Sequence, residues 1–179
     1  MQAPLIIRDS RESDMPAITG IYVHAVLNAT GTFELDPPDL EEMKRRRKVL
    51  LETDYPYLVA ECGGKVLGYC YAGSYRPRKA YQHTVEDSVY VAHEHRGQKI
   101  GHRLLGALIE HCEAKSFRLM IAAIGDSANT PSIRLHAAHG FSHAGVLSNA
   151  GRKFERWLDS VLMTRALGPG ATTPPKSAC

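Results

Sequence analysis

The stretch from His83 to Gly106 restricts the fold more than any other part of the chain, because it joins a strand to a helix through one short loop. Val85, Val89 and Val91 alternate with other residues, which predicts a strand over Thr84–Val91. The apolar residues after the loop recur at helical spacing: Ile100, Leu104, Leu105, Leu108, Ile109 and Cys112. They predict an amphipathic helix that begins near Ile100.

The connecting loop, Arg96–Gly101, has the character of an anion site. A loop that opens a helix presents backbone N–H groups without helical partners, and the positive end of the helix dipole lies at the same place. Such a site suits a phosphate or a pyrophosphate. The sequence therefore predicts that this loop binds a phosphorylated ligand.

The composition is that of an ordinary globular domain. The chain has 179 residues, of which 44% are hydrophobic and 23% charged, so one buried core is expected. A formal charge of +3 and a pI near 8.7 permit an anionic ligand without indicating a nucleic-acid binder. The apolar runs are too short to cross a bilayer, and the N-terminus lacks a signal-peptide pattern. We expect a cytoplasmic protein that binds neither nucleic acid nor membrane.

The cysteines and histidines do not predict a metal site. No C-x-x-C pair occurs among the four cysteines, Cys62, Cys70, Cys112 and Cys179. His93, His95 and His102 lack acidic or cysteine partners at ligand spacing. Reduced, mostly buried thiols are the simplest interpretation, and no metal is expected.

Hydrophobic patterns and turn residues predict the order β-α-α-β-β-β-α-β-α-β-β, which is a mixed α/β fold. Gly63-Gly64 is expected to turn the hairpin between strands Tyr57–Cys62 and Val66–Gly73. Asn149-Ala150-Gly151 is expected to turn the last hairpin, and a short helix is expected over Ser132–His139. Residues 1–167 are predicted to form a single domain, and residues 168–179, rich in proline, glycine and small residues, a disordered tail.

A run of five cations, Lys44–Lys48, lies on the second predicted helix, about Asp39 to Thr53. Such a run can bind phosphate or nucleic acid. Glu41, Glu42 and Glu52 on the same helix favour a solvated face of ion pairs instead.

Two motifs resemble the GNAT superfamily of N-acetyltransferases. Arg96-Gly97-Gln98-Lys99-Ile100-Gly101 resembles its R/Q-x-x-G-x-G/A pyrophosphate loop, with Lys99 at a position that is usually glycine. The segment Asn129–His136, followed by Gly140-Phe141, is similar to the family's N-x-x-S/A-x-x-L-Y/H…G-F pattern. The resemblance implies a central, mostly antiparallel twisted sheet with flanking helices.

Other segments narrow the resemblance to phosphinothricin and methionine sulfoximine acetyltransferases. Thr84–Val91 is similar to their T-V-E-x-S/T-V-Y-V strand, and Tyr55–Ala60 to their Y-P-x-L-V-A segment. Tyr71–Pro77 resembles their Y-x-G-x-W-R-P loop, and Lys153–Asp159 their K-F-x-R-W-L-D. Together these segments extend the similarity over residues 5–167.

The resemblance implies acetyl-CoA as the cosubstrate, a small-molecule amine as the acceptor, no metal, and a homodimer. The implied cofactor-binding residues lie on the central strand, the loop and the downstream helix: Val89, Tyr90, Val91, Arg96, Gly97, Gln98, Lys99, Ile100, Gly101 and Asn129. Glu86 is expected to deprotonate the attacking amine, although a strand glutamate paired with Arg76, Arg78 or Lys79 is the alternative. His136 is either the acid that protonates the departing thiolate or an ordinary helix histidine.

Arg76 and Arg78 are expected to bind the substrate carboxylate, because a guanidinium pairs with an oxyanion in bidentate fashion. Both can also be surface arginines. Phe33 is a candidate pocket wall or a core residue. The predicted function is acetyl transfer to the amine of an amino acid-like substrate of the phosphinothricin, methionine sulfoximine or methionine sulfone type. Transfer to a polyamine, an aminoglycoside or a protein N-terminus, and a non-catalytic acyl-CoA-binding module, are the alternatives.

Overall fold

The computed structural model describes residues 3–175. The elements follow the predicted order, with short 3-10 turns at Glu12–Asp14, Lys79–Tyr81 and His93–His95. Seven strands are present in this part of the chain: β1 (Leu5–Asp9), β2 (Tyr57–Cys62), β3 (Lys65–Ser74), β4 (Thr84–Val91), β5 (Leu119–Gly125), β6 (Ser142–Lys153) and β7 (Arg156–Ala166). The helices are α1 (Met15–Asn28), α2 (Leu40–Glu52), α3 (Ile100–Ala114) and α4 (Thr130–Ala138).

The strands form one sheet in the order β1-β2-β3-β4-β5-β7-β6. Every neighbouring pair is antiparallel except β4 and β5, which run parallel because α3 carries the chain back between them. The mixed, mostly antiparallel sheet with flanking helices is thus confirmed. The β4–β5 pairing is short, and extends only from Thr84–Leu119 to Glu86–Ile121.

Each face of the sheet carries its own core. On one face, the apolar side of α3, including Leu104, Leu105 and Leu108, packs on strand residues such as Leu58 and Met120. On the other face, α1 and α2 cover a cluster of tyrosines: Tyr22, Tyr57, Tyr69, Tyr71 and Tyr90. Their rings stack or meet edge to face, with centroids 5.1–6.4 Å apart. Both faces of the central strands are therefore buried.

The first hairpin turn is confirmed and the last one is wrong. Gly63 and Gly64 have φ of 57° and 79°, as a tight two-residue turn requires. In the last hairpin the turn lies at Phe154 and Glu155, both at positive φ, rather than at Asn149-Ala150-Gly151. Residues 149–151 stay inside β6 and form a bulge, because the Asp159 carboxylate accepts a hydrogen bond from the Asn149 N–H at 3.0 Å.

The cationic run on α2 is paired with acids, as its neighbouring glutamates indicated. Lys44 bonds to Glu41 at 2.7 Å, and Arg45 and Arg46 both bond to Glu42. Lys48 lies 3.7 Å from Glu52. Arg47 turns inward and donates to the Ser10 hydroxyl. The run therefore forms a solvated face whose charges are largely balanced.

Residues 168–175 belong to the expected tail, and they contact the rest of the chain. The Arg118 guanidinium donates to the carbonyl oxygens of Gly170 and Pro174, both at 2.8 Å, and holds this segment beside the start of β5. Residues 176–179 of the same expectation lie outside the described residues. The division of the chain after residue 167 stays a prediction.

Two glycines allow the α1–α2 connection to lie on the sheet. A Cβ at Gly125 would clash with the Thr30 carbonyl oxygen and come within 2.9 Å of Phe33 Cε1, and one at Gly151 would come within 2.6 Å of Phe33 Cδ2. Lys153, which is buried, donates to the Thr32 carbonyl at 2.9 Å and fixes the same connection. The segment from Thr30 to Phe33 is thus held against the ends of β5 and β6.

Gly125→Ala should lower the free energy of unfolding by about 1–3 kcal/mol, because the added methyl group clashes with the backbone carbonyl oxygen of Thr30 and with the ring of Phe33. Gly145→Ala is the matched control, since no atom lies within 4 Å of a Cβ placed there. It should change stability by less than about 0.5 kcal/mol. Urea unfolding of both variants measures the difference, and equal stability would contradict the close packing.

Candidate active site

An open cleft of about 1290 Å³ lies where β4 and β5 separate. Beyond the Glu86–Ile121 pair the two strands no longer bond to each other, since β4 continues along β3 while β5 continues along β7. The N-terminus of α3, the helix α4 and the Thr30–Phe33 segment complete the walls. The cleft therefore exists because two parallel strands diverge.

The edge of β4 presents backbone donors to this cleft. The Ala92 N–H bonds to the Leu67 carbonyl of the β3 side, and hydrogen-bonded pairs alternate along an antiparallel ladder. It follows that the N–H groups of Val89 and Val91 point away from β3, towards the cleft. Both residues, and Tyr90 between them, line it.

The loop before α3 has the geometry of an anion site. Gly97 and Lys99 have φ of 77° and 60°, and Lys99 is the N-cap of α3. Its side chain makes no capping hydrogen bond, so the first N–H groups of the helix face the cleft without a side-chain cap. Arg96, Gly97, Lys99, Ile100 and Gly101 line the cleft, whereas Gln98 does not.

The helix α4 forms the opposite wall, and Asn129 begins it. The Asn129 side-chain oxygen accepts a hydrogen bond from the Ser132 N–H at 3.4 Å, which makes Asn129 the N-cap. The residue also lines the cleft. The helix begins at Thr130, two residues earlier than the sequence predicts.

Glu86 lies at the closed end of the cleft. It is the last residue of β4 paired with β5, and its side chain shares a face with the tyrosine cluster, since its cross-strand partner Gly73 lies below Leu50 of α2. Burial and then the charge of Asp87 raise the pKa of Glu86 above the usual value. Among residues 3–175, no ion pair joins Glu86 to Arg76, Arg78 or Lys79.

His136 is buried between α4 and β4. Its Nδ1 lies 2.8 Å from the Ser132 carbonyl oxygen, and its Nε2 lies 3.0 Å from Asp87 Oδ2. Burial lowers the pKa of His136, but the hydrogen bond and charge of Asp87 outweigh it and raise the pKa above the usual value. Sequence reasoning did not single out Asp87. The signal in the sequence was the alternation along the strand: Asp87 shares a face with Val85 and Val89, so it is an acidic residue on an otherwise apolar face.

The predicted substrate residues are not all brought together. Phe33 lines the cleft beside Gly125. Arg76 and Arg78 are exposed and do not line it. The Arg76 guanidinium instead lies 5.0 Å from the Tyr75 ring centroid and 6.0 Å from that of Tyr81. Their predicted contact with a substrate carboxylate stays a prediction.

Neither a metal site nor a membrane span is found in the described part of the chain. No group of three or more histidine, cysteine, aspartate or glutamate side chains there could hold a metal ion. No helix among these residues is long and apolar enough to cross a membrane. Cys62, Cys70 and Cys112 are free thiols.

Comparison with known proteins agrees with this geometry. The family model for the acetyltransferase (GNAT) domain matches residues 7–162. Phosphinothricin N-acetyltransferase of Alcaligenes faecalis is 53% identical over 170 residues, which are 95% of this chain and 86% of that protein. The L-methionine sulfoximine/L-methionine sulfone acetyltransferase of Pseudomonas paraeruginosa is 41% identical over 94% of this chain and 98% of its own length.

A solved structure shares the fold in detail. The phosphinothricin acetyltransferase of Sinorhizobium meliloti, in complex with acetyl-CoA, is 43% identical with a TM-score of 0.94. The similarity covers 97% of this chain and 94% of that one. The chain belongs to the GNAT family and is an acetyl-CoA-dependent N-acetyltransferase. The uncapped start of α3 and the free β4 edge are donors suited to a pyrophosphate and to amide carbonyl groups.

Lys99→Gly should be more stable than Lys99→Ala by about 1 kcal/mol, because alanine keeps the cost of a left-handed conformation that glycine avoids. Both variants remove the ammonium group, so the difference isolates the backbone. Guanidinium unfolding of the two variants measures it. A Lys99→Ala variant as stable as Lys99→Gly would show that this loop relaxes when lysine is absent.

Proposed function

We propose that this enzyme acetylates the amine of a small amino acid-like substrate of the phosphinothricin, methionine sulfoximine or methionine sulfone type. The observation that carries the proposal is Glu86, whose carboxylate lies at the closed end of the acetyl-CoA cleft and has no ion-pair partner among residues 3–175. The two relatives described above are named for these substrates. A compact zwitterion needs one base for its amine, whereas a polyamine needs several acids.

In the proposed reaction Glu86 removes a proton from the substrate ammonium, directly or through water. The amine nitrogen then attacks the acetyl carbonyl carbon, the new C–N bond forms, and the C–S bond breaks with its electron pair going to sulfur. The second proton that the nitrogen must lose passes to the departing thiolate, directly or through water, which gives the amide and free CoA thiol. The tetrahedral intermediate, which exists after the C–N bond forms and before the C–S bond breaks, carries an oxyanion. The N–H groups of β4 that face the cleft stabilise this oxyanion. The thiolate has a solution pKa of about 8.5, so its departure needs little acid assistance.

The raised pKa of Glu86 serves this role. A carboxylate with a higher pKa is a stronger base, and burial is the main cause of the increase here. The tyrosine face beside Glu86 and the ring of Phe33 give the substrate end of the cleft aromatic walls. We assign Phe33 to the substrate pocket on this basis.

We keep Arg76 and Arg78 as proposed partners of the substrate carboxylate. Because both lie outside the cleft of a single chain, this contact needs either a movement of residues 75–82 or a cleft shared between two copies. The proposed homodimer supplies the second possibility. Large apolar side chains on the β6–β7 hairpin support it: Val146, Leu147, Phe154 and Trp157 are 43–63% exposed. A cytoplasmic location is proposed with it, supported by the free thiols.

Thiol release from acetyl-CoA tests the substrate class. Methionine sulfoximine and phosphinothricin should each give saturable release, and ordinary amino acids and spermidine should give much less. Release with spermidine alone would overturn the proposed class in favour of polyamines. Binding of acetyl-CoA without release for any of these amines would overturn the proposed substrate class and point to another acceptor.

Glu86→Gln should lower kcat by at least about 100-fold, because the amide cannot accept the ammonium proton, while the affinity for acetyl-CoA measured by calorimetry stays close to that of the wild type. Glu110→Gln, at an exposed position on α3, is the matched control. Normal turnover by Glu86→Gln would overturn the assignment of the base.

The pH dependence provides an independent check. Only ionised Glu86 accepts a proton, so kcat/KM should fall as the pH drops through a pKa above the ordinary 4.5 of glutamate. The measurement is an initial-rate profile at subsaturating amine. If kcat/KM fell only at or below pH 4.5, the result would contradict the role of a buried Glu86 as the base.

A further inference from the structure

The buried contact between Asp87 and His136 is the strongest feature that the proposed reaction does not use. Their side chains are 2% and 5% exposed, and both residues line the cleft. Asp87 follows Glu86 on β4, but it points to the opposite face, where Val85 and Val89 pack against the α3 core. Its Oδ1 has no hydrogen-bond partner among the described residues.

Hydrogen-bond chemistry determines where the protons of this pair lie. The Ser132 carbonyl oxygen can only accept, so the His136 Nδ1 at 2.8 Å must carry a hydrogen. The contact between Nε2 and Asp87 Oδ2 at 3.0 Å then requires one further proton, because a carboxylate oxygen and a bare ring nitrogen both accept. Loss of that proton would leave two buried acceptors facing each other.

The same geometry limits what His136 can do. Both of its ring nitrogens are engaged, one with α4 and one with β4, so no N–H remains free for a thiolate in the cleft. This argues for a role in holding the cleft together. Within residues 3–175, the contact is the only hydrogen bond between β4 and α4.

The position of the contact gives it a consequence for ligand binding. Between Asp87 and Val91, β4 has no ladder to β5, so the sheet does not set the distance between β4 and α4. The β4 wall carries the backbone donors of Val89 and Val91, and the α4 wall carries Asn129. A hydrogen bond that joins the two walls therefore constrains the distance between them.

We propose that Asp87 is a positioning residue for acetyl-CoA: its proton-bearing contact with His136 holds α4 against β4 and keeps the two walls of the cofactor cleft in register. The inference rests on acetyl-CoA as the cosubstrate but not on the identity of the amine. It gives the cleft a dependence on pH that is separate from that of Glu86.

The sign of this dependence follows from the direction of the pKa shift. The pKa of His136 in the folded protein lies above 6.5. The stabilisation is therefore complete below pH 6.5 and is lost as the pH rises through the raised value.

Other titratable groups near the pair change little over this range. Cys70 on β3 and Cys112 on α3 face Asp87, and burial followed by the charge of Asp87 raises both thiol pKa values, that of Cys112 to about 12. Glu86, on the opposite face of β4, titrates on the acid side. The pKa of His139 at the end of α4 is lowered by burial and then by His102, Arg165 and His136. His95 and His102 also line the cleft, so comparison with Asp87→Asn is what assigns an alkaline change to the pair.

The test is calorimetric measurement of acetyl-CoA binding, without amine, from about pH 6 to about pH 9. The wild type should bind more weakly at the alkaline end. Asp87→Ala removes the contact and should weaken binding about tenfold at neutral pH. Asp54→Asn, which neutralises an exposed aspartate paired with Lys115, is the matched control and should keep the wild-type profile.

Asp87→Asn keeps the hydrogen bond to His136 but removes its need for an additional proton. The asparagine N–H can donate to a bare Nε2 while Nδ1–H still donates to Ser132, so the bond persists without a shared proton. For Asp87→Asn, the dissociation constant of acetyl-CoA at about pH 9, divided by that at neutral pH, should therefore fall towards one. Histidine ¹⁵N chemical shifts should show His136 neutral in this variant and doubly protonated or strongly hydrogen-bonded in the wild type.

Three outcomes would overturn the inference. These are wild-type affinity of Asp87→Ala at neutral pH, an unchanged alkaline weakening in Asp87→Asn, and a loss confined to kcat with binding intact. The third would return His136 to a direct role in proton transfer. If Asp87→Ala does not fold, the Asp87→Asn profile decides alone. Failure of the proposed substrates in the thiol-release assay would leave this binding experiment unaffected.

Discussion

The parallel pairing of β4 with β5, which stops after Glu86 and Ile121, is the constraint on which the rest of the site depends. A parallel neighbour needs a long crossover, and α3 supplies it, so the start of α3 is delivered to the point where the strands diverge. Because the ladder to β5 stops there, the backbone N–H and C=O groups of β4 beyond Glu86 have no strand partner on that side. One topological feature thus produces the cleft, its donors and its anion site.

The two-residue period of β4 distributes different chemistry to its two faces. Glu86 points to the tyrosine face and Asp87 to the α3 face, although the two are adjacent in sequence. Their charges interact, since Asp87 contributes to the raised pKa of Glu86. The proposed base and the proposed contact between the cleft walls therefore lie on opposite faces of one strand and remain electrostatically coupled.

Local patterns predicted most of the fold because they report short-range physics. The strand Thr84–Val91, the Gly63-Gly64 turn and the start of α3 at Ile100 follow from alternation, positive φ and helical spacing. The last hairpin failed for a non-local reason. Asn149 and Gly151 have turn chemistry, but a carboxylate on β7 and the ring of Phe33 hold them inside β6 as a bulge. Nothing near them in sequence specifies these contacts.

The sequence by itself determined the order of the elements, and it predicted the anion-binding loop and most of the candidate site residues, because spacing and motif are properties of the chain. Only the tertiary structure decided which of those residues meet. It placed Glu86 at the closed end of the cleft, left Arg76 and Arg78 outside it, and joined Asp87 to His136, 49 positions away. Such contacts depend on how the sheet and helices pack, since distance along the chain does not fix distance in the fold.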